Sequence, residues 1–106
     1  MNPIFVSTTF AGGTSDYSDT LLNLKRIGIN KIEIGSTHNV LSIENAIEVS
    51  RNFNNQYLLH NFFPPLNRKI IINPASKDES DLLQTKNQIN LSIDFAKELN
   101  VKLITI

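Results

Sequence analysis

The chain lacks cysteine altogether, has no excess of either charge and contains no long apolar run. Without cysteine there are no disulfides, no thiolate nucleophile and no cysteine-based zinc site. Ten basic residues balance ten acidic ones, so the composition gives no basic surface for nucleic acid. The first apolar run ends at Ser7, too early for a signal peptide or a membrane span. These absences permit a reducing compartment, and we expect a cytoplasmic protein.

Glycine is also scarce, and its placement excludes the common phosphate-binding motifs. Two of the four glycines are adjacent, Gly12 and Gly13. Their spacing matches neither Gly-x-Gly-x-x-Gly nor a P-loop with its Lys-Ser/Thr. A flexible loop after a strand is the better interpretation.

The hydrophobic pattern alternates between strand-like and helix-like segments in a chain of 106 residues, long enough for one domain. Short β-branched or apolar runs predict strands at 4–9, 31–35, 56–61 and 101–106. Capping residues and helical spacing predict helices between them, ending near Gly28, near 52–55 and near Asn100. The expected apolar stripe of the third helix comprises Leu82, Leu83, Ile89, Ile93, Phe95, Ala96 and Leu99.

The order βαβαβαβ predicts an α/β fold with right-handed crossovers and a parallel sheet. A (β/α)8 TIM-type barrel takes about 250 residues, and this chain holds about four of its eight strands. We therefore expect residues 1–106 to be the N-terminal half of one barrel domain. A small open α/β sheet is the alternative.

Three ionisable residues lie where such a barrel carries its site. His60 ends the third predicted strand, where an imidazole serves as a zinc or manganese ligand or as a general base; it could also hold the loop through a backbone carbonyl. Glu33 lies between Ile32 and Ile34, so it faces away from the covering helices unless it is an exposed edge residue. His38 follows the second strand and lines the rim or is a solvated loop residue.

The loop after His60 is apolar and stiff, with the sequence Phe62-Phe63-Pro64-Pro65. It either walls a small-molecule pocket or packs the loop against the domain. Asn73 and Ser76 precede the long helix, where capping is their default role.

Two segments, His60-Asn61-Phe62-Phe63-Pro64-Pro65 and Ile72-Asn73-Pro74-Ala75-Ser76 followed by Asp78-Glu79, carry a family resemblance. They resemble the xylose isomerase-like barrel superfamily, above all its sugar phosphate isomerase/epimerase branch. The zinc-dependent apurinic endonucleases are similar in layout. Ile32-Glu33-Ile34-Gly35 also looks like the second strand of these proteins.

The resemblance implies a divalent metal (zinc, manganese or magnesium) and a sugar or sugar phosphate as substrate. In the endonuclease branch the histidine that matches His60 is a metal ligand, so we expect His60 to bind the metal. We expect Glu33 to be a catalytic carboxylate and His38, Asn61 and Phe62 to bind the substrate. The family's remaining ligands lie on later strands, so we expect this chain alone to be inactive.

Two other functions stay open from the sequence. One is an apurinic endonuclease-like nuclease, which the absence of a basic stripe disfavours. The other is a non-catalytic half-barrel that self-associates through open sheet edges.

Overall fold

The computed structural model describes residues 4–11, 16–35, 38, 40–60, 63–64 and 73–105. Its four strands are β1 (Val6–Ser7), β2 (Lys31–Ile34), β3 (Gln56–His60) and β4 (Ile104–Thr105). Its three α-helices are α1 (Tyr17–Arg26), α2 (Ile43–Arg51) and α3 (Glu79–Glu98). A 3-10 turn, Thr8–Ala11, follows β1. The predicted order of elements is confirmed, although β1 and β4 are shorter than the sequence indicated.

The four strands form one parallel sheet in the order β1-β2-β3-β4. Val6 pairs with Ile32 and Ile32 with Tyr57, while Leu59 pairs with Ile104. Each strand therefore lies beside the next one along the chain. Successive right-handed βαβ units give this order when each new strand is added at the same edge of the sheet. The predicted parallel α/β class is confirmed.

One face of this sheet is covered and carries the core. Ile32, Ile34 and Leu59 are completely buried, and they pack in one cluster with apolar residues of all three helices. Neighbouring helices touch, α1 with α2 and α2 with α3. The alternate strand residues, which point to the opposite face, are half-buried or exposed: Ser7, Glu33, Leu58, His60 and Thr105. We call this opposite side the open face.

Aromatic side chains fill the space between the helices and the sheet. The Phe63 ring lies 5.0 Å from Tyr17 and 5.1 Å from Phe95, centroid to centroid, in tilted and edge-on arrangements. All three are buried, and such ring pairs add to the stabilisation that burial provides. Phe63 thus ties the segment after β3 to α1 and α3.

The helix ends follow the predicted capping chemistry. The Ser42 hydroxyl accepts a hydrogen bond from Asn45 N at 3.0 Å, and Asp78 Oδ1 accepts from Ser80 N and Asp81 N at the start of α3. Gly28 follows α1 with φ 81°, a conformation that glycine adopts without a Cβ penalty. Asn100 has φ 53° one residue beyond the α3 C-cap, Leu99.

The predicted apolar stripe of α3 is confirmed for Phe95 and Ala96, which are buried, and is wrong for three of its other residues. Leu82, Leu83 and Ile93 are 38%, 60% and 38% exposed, whereas the polar residues Thr85, Gln88 and Ser92 are buried. Two of those polar side chains anchor the preceding segment. Gln88 Nε2 donates to Pro64 O at 2.9 Å, and Thr85 Oγ1 accepts from Asn73 N at 3.1 Å. These two bonds satisfy backbone groups of residues 64 and 73, which accounts for the burial of two polar side chains of α3.

Within the described ranges, no helix combines the length and the apolar character needed to cross a lipid bilayer.

Candidate functional site

The carboxyl ends of the four parallel strands meet at one edge of the sheet. Ser7 and His60 end β1 and β3, Gly35 follows β2, and Thr105 ends β4. Active sites of parallel α/β proteins form at this edge because loops, not helices, cover it. We therefore take this edge, together with the adjoining open face, as the candidate site.

His60 lies on the open face at this edge, as its position in the sequence predicted. Leu59 before it is fully buried against the helices, and His60 itself is exposed. Its register partner on β4 is Thr105. The imidazole is therefore accessible to a ligand that approaches from the open face.

Glu33 lies on the same face one strand away. Ile32 and Ile34 are both fully buried, which leaves the half-buried Glu33 on the opposite side of β2. Glu33 pairs in register with Leu58 on β3 and with Ser7 on β1. His60 is two residues beyond Leu58, so the Cα atoms of Glu33 and His60 are separated by about 8 Å, given normal strand spacing and rise. A carboxylate and an imidazole at that separation can both reach one small ligand.

Thr105 and Ser7 share the open face with these two residues, and neither was singled out from the sequence. The Thr105 hydroxyl is buried and has no hydrogen-bond partner within the described part of the chain. Ser7 Oγ lies 2.7 Å from Thr9 Oγ1. Strand alternation after Val6, which packs against the core, was the signal that could have identified Ser7. Thr105 is identified only by its register with His60.

A hydrogen bond between the segments that follow β1 and β2 fixes this edge. The buried Thr8 hydroxyl accepts from Gly35 N at 2.8 Å. A Cβ at position 35 would collide with the Cγ2 methyl of Thr9. Glycine is therefore needed here for close approach of the two segments.

His38 is buried rather than exposed to solvent. It is completely inaccessible, and its ring centroid lies 6.0 Å from that of Tyr17. The interpretation of His38 as a solvated loop residue is therefore wrong, because the ring belongs to the aromatic core. Its role in substrate binding stays a prediction.

The other two predicted substrate-binding residues, Asn61 and Phe62, lie outside the described residues. Their neighbours Phe63 and Pro64 are buried. Phe63 contacts core aromatic rings, and the Pro64 carbonyl accepts from Gln88. For these two residues the packing interpretation of the apolar loop applies.

The turn that leads into α3 is held by its own side chains. Asn73 Oδ1 accepts from Ala75 N, and the Ser76 hydroxyl donates to Asp81 Oδ2 and accepts from Asp78 N. The N-cap is Asp78. Asn73 stabilises the turn before the helix, and Ser76 links that turn to Asp81 in the first helical turn. These bonds account for the polar residues of the 73–78 segment without a ligand.

A second polar group is buried beneath the helices. The Tyr17 phenol lies 2.7 Å from Ser50 Oγ, which donates to Ala46 O. Burial raises the pKa of Tyr17 far above that of an ordinary phenol, and the Ser50 hydrogen bond offsets only part of this shift. Burial also raises the pKa of Tyr57, whose hydroxyl donates to Ser50 O.

The donors for a divalent metal are incomplete in this part of the molecule. The described residues contain no group of three or more ionisable ligands close enough to hold an ion. His60 and Glu33 supply two donors on one face, whereas zinc binds three or four protein ligands and magnesium prefers six oxygens. We therefore derive no chemical step through a metal from this chain alone.

Comparison with protein-family models, with curated proteins and with solved structures found no match to this chain.

Proposed function

We propose that this chain forms the first half of a (β/α)8 barrel of the xylose isomerase-like type and contributes to a sugar phosphate isomerase or epimerase site. The sheet topology supports this proposal. In doubly wound sheets the strand order reverses and helices cover both faces. Here the order is β1-β2-β3-β4, and the helices contribute to a core on one face only. Both features are expected of successive barrel units, in which the open face would be turned toward the barrel interior.

The open face would then supply two groups to the barrel site. Glu33, half-buried on β2, is suited to moving a proton between adjacent carbons of a sugar. His60, exposed at the end of β3, is suited to bind a metal ion or a substrate oxygen. When bound, a divalent ion would polarise the substrate's carbonyl or hydroxyl group. The second half of the barrel would supply the remaining ligands.

A small polar substrate fits this proposal better than a nucleic acid does. The chain has zero net charge at neutral pH, so it offers little attraction to a polyanionic duplex. A sugar or sugar phosphate instead needs a few directed polar groups in a confined site. The hydroxyl of Ser7 lies on the same face as Glu33 and His60 and is a group of this kind.

The test is an isomerase assay on a polypeptide that contains the whole barrel, with aldose and ketose phosphates and with Mn²⁺, Zn²⁺ or Mg²⁺. We expect His60→Ala and Glu33→Gln to lower kcat strongly while the fold is retained. The 106-residue chain alone should show no turnover. Turnover by the isolated chain, or full activity of both variants, would exclude this assignment.

A further inference from the structure

The basic residues of this chain are concentrated at the edge of the sheet opposite the candidate site. The helices α1, α2 and α3 end beside the starts of β2, β3 and β4, with connections at 27–30, 52–55 and 99–103. We call this side the amino edge. Six of the ten basic residues lie in the last turn of a helix or near the start of a strand: Lys25, Arg26, Lys31, Arg51, Lys97 and Lys102. Lys31 is half-buried and the other five are exposed.

The acidic residues have the opposite distribution. Six of the ten are N-caps or lie in the first turn of a helix, at the other edge: Asp16, Asp19, Glu44, Asp78, Glu79 and Asp81. At the amino edge the acidic residue is Glu98, and its carboxylate lies 2.9 Å from Arg51 Nη2. Six basic residues against one acidic residue give the amino edge a net charge of +5, which leaves −5 for the rest of a chain whose net charge is zero.

The helix dipoles and the distant acidic residues offset only part of this positive charge. A helix C-terminus carries about half a negative charge, so three helices offset roughly −1.5. Lys31 and Lys102 lie on strand segments, outside the last turns of the helices. Even the shortest helix, α2, spans nine residues or about 14 Å, which exceeds the Debye length of about 8 Å at physiological salt. A polyanion at the amino edge therefore encounters the local positive charge and not the zero net charge of the chain.

The amino edge also carries side-chain amides and an aromatic ring. Its connections and the first residue of β3 supply five exposed amides: Asn30, Asn52, Asn54, Gln56 and Asn100. Phe53, between two of them, is half-buried, and the Lys25 ammonium lies 5.8 Å from its ring centroid. Lysine, arginine, asparagine and glutamine are side chains that contact the phosphates and sugars of nucleic acids, and an aromatic ring offers a base a stacking surface.

We propose that the amino edge binds single-stranded nucleic acid through its phosphates. A single strand suits this surface better than a duplex, because the three helices meet it with their ends and none presents its side to a major groove. Four strands at about 4.8 Å spacing give the surface a width of about 14 Å, enough for roughly three to five phosphates. The proposal is independent of the proposed function, since Glu33 and His60 face the open side of the sheet and the site lies at the opposite edge.

An anionic membrane is the competing partner, because two isoleucines are exposed on this side of the molecule. Ile27, the C-cap of α1, is 70% exposed, and Ile4, before β1, is 79% exposed. Membrane docking gains its strength from buried apolar area together with basic charge. Two isoleucines supply little apolar area, whereas the five exposed amides supply hydrogen bonds that phosphates and sugars use. The composition of the surface therefore favours nucleic acid.

The first test measures the fluorescence anisotropy of a labelled oligouridylate of about 12 nucleotides as the full-length protein that contains this chain is added. The titration is repeated between about 50 and 200 mM salt. Three to five phosphate contacts predict a slope of roughly −2 to −3.5 for the logarithm of the binding constant against that of the salt concentration. Absence of binding at the lowest salt concentration, or a slope near zero, would overturn the proposal.

The second test compares two pairs of exposed lysines that change the net charge equally. Lys97→Gln with Lys102→Gln, at the amino edge, should raise the Kd for oligouridylate about 10-fold and reduce the salt slope by about 1.4. Lys77→Gln with Lys86→Gln, toward the start of α3, should change the Kd by less than about 2-fold because of screening. Equal losses would show an effect of net charge alone and would exclude a site at the amino edge. Circular dichroism checks that all variants are folded.

The third test locates the ligand and separates the two possible partners. On addition of oligouridylate, backbone NMR signals of 27–30, 52–55 and 99–103 should shift, whereas those of Gly35 and His60 should not. Shifts confined to Gly35 and His60 would place the ligand at the candidate site and contradict the proposal. Sedimentation with vesicles of phosphatidylcholine and phosphatidylserine, without any binding of oligouridylate, would assign the surface to a membrane instead. The isomerase assay uses neither probe, so a failure of the proposed function is detected separately.

Discussion

The phenol oxygen of Tyr17 on α1 and the hydroxyl oxygen of Ser50 on α2 lie 2.7 Å apart in a site that excludes solvent. This hydrogen bond joins two helices whose sequence positions differ by 33 residues. The Tyr17 ring also contacts Phe63 and His38. Tyr17 therefore links α1, α2 and the segments after β2 and β3, and it can stay buried only while its proton is retained.

Alkaline pH should unfold the protein through this residue. Because burial raises the pKa of Tyr17 in the folded state, its contribution to stability is complete below the unfolded pKa of about 10. Above that pH the unfolded state loses the proton first, so the free energy of unfolding falls by up to about 1.4 kcal/mol per pH unit. Urea unfolding at a series of pH values measures this slope.

The absorbance of tyrosinate provides the control for this prediction. The chain has only two tyrosines, and burial raises the pKa of both. Their ionisation should coincide with the loss of helical circular dichroism. Tyr17→Phe should flatten the pH dependence more than Tyr57→Phe does. Ionisation of both phenols near pH 10 in a protein that is still folded would contradict the burial of Tyr17.

The two histidines should differ sharply in their contribution to stability. His38 is fully buried against Tyr17, so His38→Ala leaves a cavity and should lower the free energy of unfolding by roughly 1–3 kcal/mol. His60 is exposed, and His60→Ala should change it by less than about 0.5 kcal/mol. Chemical denaturation of the two variants tests this difference. Equal effects would mean that His38 does not belong to the core.

Gly35 should not tolerate a side chain. Gly35→Ala brings a methyl group against the Thr9 Cγ2 atom, and we expect a loss of roughly 1–3 kcal/mol in the free energy of unfolding. Thr9→Ser removes that methyl and retains the hydroxyl that lies near Ser7. The double variant should therefore recover much of the lost stability. Lack of recovery would indicate that another contact, such as that with Thr8, causes the loss.

The buried polar side of α3 gives a matched pair of glutamines. Gln88→Ala leaves the Pro64 carbonyl without its hydrogen-bond donor and should cost about 1–3 kcal/mol. Gln84, one turn earlier, is exposed, and Gln84→Ala should change the free energy of unfolding by less than about 0.5 kcal/mol. Thermal or urea unfolding of both variants measures the difference. A neutral Gln88→Ala would show that this hydrogen bond does not hold the loop.

The strands, the helices and their order followed from local signals in the sequence. The helix cap at Ser42, the helix end at Gly28 and the strand alternation at Ile32-Glu33-Ile34 all depend on residues that are near in sequence. Composition and spacing therefore suffice to predict these features. Phe95 and Ala96 of α3 face inward as hydrophobicity predicts, but the burial of Thr85 and Gln88 did not follow, because it depends on hydrogen bonds to the backbone of residues 73 and 64. For this reason Leu82, which was expected to be buried, is exposed, and Gln88, which was expected to be exposed, is buried.

The candidate site was predictable in part for a related reason. His60 and Glu33 lie on the open face because strand alternation fixes their direction, and alternation can be read from the sequence. The burial of His38 could not be predicted from the sequence, since it depends on the packing of Tyr17 and Phe63, which come from distant segments. Thr105 is identified as a candidate site residue only by its register with His60, and that register is known only once the strands are paired in the sheet.

The most direct test of the proposed site is a Zn²⁺ titration of a polypeptide that contains the whole barrel, followed by NMR through the assigned imidazole resonances of His60 and His38. We expect the His60 signals to shift with added zinc, the His38 signals to stay unchanged, and Glu33→Gln to weaken the His60 response. Insensitivity of His60 to zinc, or an equal response from His38, would contradict the placement of a metal-facing site on the open face of the sheet.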